Sequence, residues 1–115
     1  MTKPLPKQPR IHTRIAVNIP VRISTIDIRG KKVLSPATIL NVSRGGAAIQ
    51  LPVETAFDSL VKIHWQDQRG IHEASALPRW KYSCGDSLWR VGVESTDDGQ
   101  LWSNLVYFAC QSRGC

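Results

Sequence analysis

Two short groups of polar residues carry side chains that suit an anionic ligand. Arg10 and Arg14 are separated by three residues in a basic N-terminal segment. Asn41, Ser43 and Gly46 follow in a polar stretch between two apolar segments. A guanidinium group binds phosphate through charge-assisted hydrogen bonds, and it can donate two parallel hydrogen bonds to the O6 and N7 atoms of guanine. These residue types therefore suit an anionic ligand.

The polar stretch adds shorter contacts to those of the arginines. The Asn41 amide can accept from and donate to a guanine edge, and the Ser43 hydroxyl can bond to a phosphate or a base. Gly46 permits a close backbone approach or a positive φ angle, and Gln8 adds a further amide. Each group alone is weak evidence, because the chain has 15 lysines and arginines and because Asn, Ser and Gly are ordinary turn residues. Only the combination of the two groups indicates a binding site.

The segments around these groups alternate apolar and polar residues, which is typical of half-buried strands. The first such segment has apolar residues at Ile15, Val17, Ile19, Val21 and Ile23. Further inward positions are predicted at Ala37, Ile39, Ala47, Ile49, Leu51, Val61, Ile63, Trp65, Trp89, Val91 and Val93, and Ala48 is predicted to point outward. Because proline cannot donate to a strand ladder, Pro20 should mark an edge or a bulge, and Pro78 should interrupt a later strand.

Turns and a final helix complete the pattern. Turns are predicted at 27–32, 41–46, 67–70 and 83–86. After Ser95 the spacing becomes helical, with apolar residues at Leu101, Trp102, Leu105, Val106, Phe108 and Ala109. Six short strands followed by one helix favour a mainly β fold, a small antiparallel barrel capped by the helix. A two-sheet sandwich is the alternative architecture.

These features together resemble the PilZ family. The two polar groups match its signature, Arg-x-x-x-Arg followed by Asp/Asn-x-Ser-x-x-Gly. The stretches 76–80 (ALPRW) and 89–94 (WRVGVE) are similar to the late strand pair of that family. The stretch 101–108 is similar to the tail of the PilZ modules of bacterial cellulose synthases. The resemblance implies a six-stranded antiparallel β-barrel with a C-terminal α-helix, spanning residues 15–115, and a flexible basic arm at residues 1–14.

The resemblance also implies a function. PilZ domains bind cyclic di-GMP (c-di-GMP), so the chain is expected to be a c-di-GMP-binding regulatory module with no cofactor, no metal and no enzymatic activity. The ligand-binding residues implied are Arg10, Arg14, Asn41, Ser43, Gly46 and Gln8. Binding is expected to change the position of the arm relative to the barrel. A protein partner or an attached output domain would respond to that change.

Charge and composition leave two alternative functions. A net charge of +6 and an isoelectric point near 9.7 favour an anionic partner without identifying it. The first alternative is a PilZ-like protein-interaction module that does not bind nucleotide. The second is a small barrel that binds single-stranded nucleic acid on exposed aromatic residues. The intact arginines and the Asn-x-Ser-x-x-Gly stretch favour c-di-GMP over both, and DNA is not favoured.

The remaining chemistry-bearing residues indicate no catalytic or metal site. The three cysteines form no C-x-x-C pair and are expected to be free thiols, and the three histidines lie far apart. The basic, proline-rich N-terminus does not resemble a signal peptide, and no segment is apolar enough to insert into a membrane. A cytoplasmic location is expected, either alone or as the cytoplasmic module of a membrane protein. Trp65, Trp80, Trp89 and Trp102 are predicted to pack in the core or against the barrel, and for Trp80, next to Arg79, a position facing a ligand is the alternative.

Overall fold

The computed structural model describes residues 14–96 and 100–112. The strands are β1 (Ile15–Ile26), β2 (Lys32–Val42), β3 (Gly46–Leu51), β4 (Val61–Asp67), β5 (Gly70–Gly85) and β6 (Leu88–Ser95), followed by the helix α1 (Gln100–Ser112). They form a closed antiparallel barrel in the order β1-β2-β3-β6-β5-β4. The six-stranded antiparallel barrel with a C-terminal helix is therefore confirmed.

The barrel interior follows the predicted alternation. In β1, Ile19, Val21 and Ile23 are buried, and all three belong to one core cluster. The prediction for Trp89 was wrong, because this side chain is only half-buried and lies outside that core. Trp89 pairs with Leu51 at the last residue pair of the β3–β6 ladder. Its position at the end of the ladder explains its partial exposure.

The helix packs its apolar stripe against the barrel core. Trp102, Leu105 and Ala109 are 1%, 0% and 0% exposed and belong to the same cluster as the inward strand residues. Phe108 stacks on Trp65 with ring centroids 6.0 Å apart. Burying a large apolar side chain contributes roughly 1.5–3 kcal/mol, so this contact stabilises both the helix and the barrel.

The β1–β2 and β4–β5 connections are tight turns centred on aspartates. Asp27 Oδ1 accepts hydrogen bonds of 2.9 Å from the backbone N–H groups of Arg29 and Lys31. Asp67 Oδ1 accepts from the N–H of Arg69 and lies 2.8 Å from His72 Nε2. The Lys31 N–H lowers the pKa of Asp27, and the His72 hydrogen bond lowers the pKa of Asp67. Both predicted turns are confirmed.

Two irregularities in β5 displace predicted features. The strand continues through Gly85, so the turn predicted at 83–86 lies instead at Asp86 and Ser87, which both have positive φ angles. The register between β5 and β6 shifts between Pro78 and Trp80, which confirms the interruption expected at Pro78. Because side chains alternate along a strand, this one-residue shift moves each β5 residue beyond it to the opposite face of the sheet.

The barrel closes between β1 and β4 through a short seam. Only Arg22, Ile23 and Ser24 pair with β4, and Pro20 lies just before this paired segment. On the outer face, Ser24 Oγ lies 2.8 Å from His64 Nε2 across the seam. The register of β1 against β2 shifts between Ala16 and Ile19, before Pro20, and the side-chain contact adds to the short β1–β4 ladder.

Candidate functional site

The β2–β3 turn is tighter than the sequence predicts. It comprises residues 43–45, since Asn41 belongs to β2 and Gly46 begins β3. Ser43 is only 6% exposed. Its backbone N–H donates a 2.8 Å hydrogen bond to the Gly46 carbonyl, and its hydroxyl lies 3.4 Å from the same oxygen. The Ser43 side chain thus contributes to closing the turn.

The helix also holds this turn. Trp102 Nε1 donates a buried 2.8 Å hydrogen bond to the Ser43 carbonyl oxygen. These two residues are 59 positions apart in the chain. Satisfying a buried carbonyl with a buried indole N–H fixes the position of both groups. The turn is therefore connected directly to α1.

Gly46 is required by strand packing. Its φ angle is not positive, but a Cβ atom at this position would lie 2.4 Å from the Val93 carbonyl oxygen. Gly46 pairs with Glu94 at the start of the β3–β6 ladder. Close backbone approach, one of the two roles predicted for this glycine, is thus present, and the approaching backbone is that of β6.

Arg14 brings the two polar groups together. Its Nη1 donates a 2.7 Å hydrogen bond to Asn41 Oδ1. Because Ala16 pairs with Asn41, the residues just before β1 lie beside the end of β2. Arg10 and Gln8 lie outside the described residues. Arg14 and Asn41, one residue from each half of the signature, therefore meet in the structure.

A groove of about 460 Å³ extends from this contact. It is lined by Arg14, Ser43, Gly45, Gly46, Ala47, Arg79, Trp80, Gly92, Val93 and Glu94. Its volume falls within the range of small-molecule binding sites, roughly 300–1,000 Å³. The groove brings Arg14, Ser43 and Gly46 together with residues of β5 and β6 that the sequence analysis did not select.

Trp80 lines the β5 side of the groove, and the exposed ring of Tyr82 lies beside it, outside the groove lining. Trp80 and Tyr82 are 41% and 49% exposed, and their rings stack with centroids 5.6 Å apart. A Cβ atom at Gly92 would lie 2.1 Å from the Trp80 ring, so this glycine leaves room for the indole. Ala48, predicted to point outward, pairs with Gly92 and is nevertheless buried. We name Trp80 and Tyr82 the aromatic wall.

The prediction that Trp80 packs in the core was wrong. The bulge between Pro78 and Trp80 places the indole opposite Gly92 on the outer surface. The other position considered for this residue, facing a ligand, is compatible with its place in the groove. The sequence signal that could have identified it is the proline two residues earlier, because a bulge reverses the faces of the strand residues beyond it.

Arg79 and Glu94 add charge beside the aromatic wall. Their side chains form an ion pair at the groove, and they are 62% and 54% exposed. Such an exposed pair contributes little to stability, typically ~0–1 kcal/mol. An anionic ligand could therefore take the place of Glu94 beside the Arg79 guanidinium at small cost. Sequence analysis missed both residues because their proximity depends on the pairing of β5 with β6.

The groove thus combines the groups that a purine nucleotide needs. Arg14 and Arg79 provide guanidinium groups for phosphate or for a guanine edge. Trp80 provides a flat ring on which a base can stack. The turn at 43–45 and the start of β3 form the opposite wall, which hydrogen bonds hold in place. This arrangement can bind and orient an anionic, aromatic ligand.

A serine–histidine–glutamate group lies elsewhere on the outer face. Ser24 Oγ is 2.8 Å from His64 Nε2, but His64 Nδ1 is 3.7 Å from Glu73 Oε1, beyond hydrogen-bond distance. Ser24 pairs with Leu34 of β2 on one side and with Lys62 of β4 on the other. The geometry therefore supports a role at the barrel seam.

Within residues 14–96 and 100–112, no cluster of metal-ligating side chains is present.

The described part of the chain contains no helix long and apolar enough to cross a membrane.

No protein-family model matches the sequence, and no curated protein matches it. Similarity appears among solved structures. The PilZ domain of CeSA from a cellulose-synthesizing bacterium superposes with a TM-score of 0.57 and 18% identity, covering 87% of this chain and 97% of that chain.

A second solved structure is similar at the same level. The PilZ domain of YcgR from Escherichia coli, solved with c-di-GMP, superposes with a TM-score of 0.58 and 16% identity. The match covers 90% of this chain and 91% of that chain. The chain therefore has a PilZ-like fold.

Proposed function

We propose that this chain is a c-di-GMP-binding regulatory module and that the ligand occupies the groove between the β2–β3 turn and the aromatic wall. The observation that carries the proposal is the 2.7 Å hydrogen bond from Arg14, which lines the groove, to Asn41, which does not line it. It brings together one residue from each half of the signature. The PilZ-like fold, shared with a domain solved with c-di-GMP, supports the choice of ligand.

The proposed contacts follow from the chemistry of the groove. Arg14, with Arg10 from the same basic segment, binds phosphate or the O6 and N7 atoms of guanine. One guanine stacks on Trp80, and a ligand phosphate replaces Glu94 beside Arg79. Asn41 exchanges its bond to Arg14 for the polar edge of a base, with Gln8 adding a further amide contact.

Ser43 and Gly46 have a different role in the proposal. Their backbone groups form the closed turn, so they shape the wall against which the ligand rests. The Ser43 hydroxyl can turn from the Gly46 carbonyl towards a phosphate, since the present contact is long at 3.4 Å. The module binds its ligand and does not transform it.

Signalling in this proposal depends on the N-terminal segment. We propose that residues 1–14 act as an arm of a module that spans residues 15–115. Ligand that contacts Arg10 and Arg14 together with the barrel favours one arm position over others. Only such a difference in affinity between positions can transmit a signal. A protein partner or an attached output domain would respond, in the cytoplasm of a bacterium.

The test is a calorimetric titration of c-di-GMP into the wild type and into Arg14→Ala, Arg14→Lys and Trp80→Ala. Arg14→Ala should weaken binding roughly tenfold or more, since a charge-assisted hydrogen bond contributes about 1.5–3 kcal/mol. Arg14→Lys should recover only part of the loss, because lysine lacks the bidentate fork. Trp80→Ala should weaken binding by a similar factor through lost stacking.

Arg22→Ala is the matched control, because Arg22 is an exposed arginine on the outer face near the seam, outside the groove. Its affinity should equal that of the wild type, and circular dichroism should show every variant folded. Equal affinity in Arg14→Ala and the wild type would reject the proposal. Absence of heat in the wild type would favour a protein-interaction module. Salt-sensitive binding to single-stranded DNA in preference to c-di-GMP would favour a nucleic-acid barrel.

A further inference from the structure

A second groove lies at the opposite end of the β1–β2 hairpin from Arg14 and Asn41. It has a volume of about 610 Å³. The end of β1, the start of β2 and the chain entering β4 line it with Ser24, Thr25, Ile26, Lys32, Val33, Leu34, Ser59, Leu60 and Lys62. We name it the hairpin groove. It shares no lining residue with the groove described above.

The usual distribution of polar and apolar residues is reversed here. Thr25 and Ser35 are buried, at 7% and 4% exposure. Their hydroxyls bond to the carbonyls of Leu60 and Pro36. Leu34 and Leu60, by contrast, are 60% and 44% exposed. The barrel core therefore makes little use of these two leucines, and adjacent exposed apolar residues often mark a binding surface.

Lysines border the exposed leucines. Lys32 and Lys62 are the charged residues that line the hairpin groove, and both are cationic. Lys62 Nζ lies 3.7 Å from the Glu73 carboxylate, with both side chains about half exposed, so this pair is weak. The neighbouring Asp27 carboxylate accepts backbone hydrogen bonds within its own turn. The surface thus offers apolar contact flanked by positive charge.

The backbone around the groove is held in place. The Ile28 N–H donates to the Glu54 carbonyl at 3.1 Å, and the Ala56 N–H donates to the Ile26 carbonyl at 3.0 Å. These bonds join the β1–β2 turn to the loop between β3 and β4. A preformed groove loses little conformational entropy when a partner binds. A concave surface also suits protruding side chains better than it suits a flat lipid surface.

We propose that the hairpin groove docks an acidic amphipathic segment of a partner protein. Apolar side chains of that segment pack between Leu34 and Leu60, and its carboxylates pair with Lys32 and Lys62. Helices that bind in grooves present apolar anchors three and four residues apart, with polar residues between them. The proposal does not depend on nucleotide binding, because the two grooves have no lining residue in common.

The test uses nuclear magnetic resonance of the ¹⁵N-labelled protein and a synthetic helical peptide with leucines at that spacing and glutamates between them. Amide shifts should move at Ser24, Leu34 and Lys62. The double variant Leu34→Ser/Leu60→Ser should bind roughly tenfold more weakly or worse, because each exposed leucine loses its apolar contact. Lys32→Glu/Lys62→Glu should also weaken binding. Added salt should weaken it as well.

Ile71→Ser is the matched control, because Ile71 is a 77% exposed apolar residue on the barrel surface outside the hairpin groove. Its affinity for the peptide should equal that of the wild type. The proposal is overturned if the glutamate peptide changes no amide shifts, or if a peptide with lysines in place of the glutamates binds equally well. Equal binding of the peptide by the double leucine variant would also overturn it. So would binding of the protein to phosphatidylserine vesicles in preference to the peptide. Concentration-dependent dimerisation through the same residues would identify a second copy as the occupant and would equally overturn it.

Discussion

The two walls of the groove beside Arg14 are built in different ways. The turn wall, residues 41–46, is held by buried hydrogen bonds from Trp102 to Ser43 and from Ser43 to Gly46. The aromatic wall, Trp80 and Tyr82, is exposed. Each wall also depends on a glycine. Gly46 meets the backbone of β6, whereas Gly92 meets the ring of Trp80.

This difference separates residues that shape the groove from residues that are exposed in it. Ser43 and Gly46 match the signature of the family, yet both have a structural role that needs no ligand. Trp80 matches no part of that signature, yet it presents a flat ring to the groove. The residues that match the signature therefore shape the groove, whereas the exposed groups of Trp80 and Arg79 come from β5.

The largest effect is expected at the anchor of the turn wall. Trp102→Ala removes a side chain that is 1% exposed and leaves the Ser43 carbonyl without its indole donor. It should lower the free energy of unfolding by about 3–5 kcal/mol. Urea denaturation followed by circular dichroism measures this. Trp80→Ala, a change of the same type on the aromatic wall, should cost less than ~1 kcal/mol. Similar losses in the two variants would remove the distinction between the walls.

A smaller effect is expected at the two glycines. Gly46→Ala places a methyl group 2.4 Å from the Val93 carbonyl oxygen, so β3 and β6 must separate. The expected loss of stability is about 1–3 kcal/mol. Gly92→Ala is the control. Its methyl group meets a half-exposed indole that can swing aside, so stability should change less while c-di-GMP affinity falls. If Gly92→Ala proves the more destabilising variant, Trp80 is part of the fold and not of the site.

The fold was predictable because it follows from hydrophobic periodicity. The alternation from Ile15 to Ile23 and the helical stripe beginning at Leu101 each depend on nearby residues only. These patterns gave the strands, the helix and the barrel. Short connections account for the β1–β2, β2–β3, β4–β5 and β5–β6 pairs. The β3–β6 and β1–β4 pairs join strands that are distant in the sequence, so local patterns do not indicate them.

The site was predictable only in part, because its remaining features are non-local. The Ser43 carbonyl accepts its hydrogen bond from Trp102, 59 residues later in the chain. The exposure of Trp80 depends on a one-residue shift after Pro78, and the Arg79–Glu94 pair depends on the β5–β6 register. Proline signals that a bulge is needed, but the sequence does not indicate which residue absorbs the shift. Arg10 and Gln8 remain predictions outside the described residues.

The central claim is that c-di-GMP binds between the turn wall and the aromatic wall. The most direct measurement is the set of intermolecular nuclear Overhauser effects between c-di-GMP and the protein. The account predicts contacts from a guanine H8 proton to the Trp80 indole ring, together with ligand contacts to the Gly46 and Arg14 protons. A saturated complex with no contact at Trp80, or with contacts confined to another face of the barrel, would contradict it.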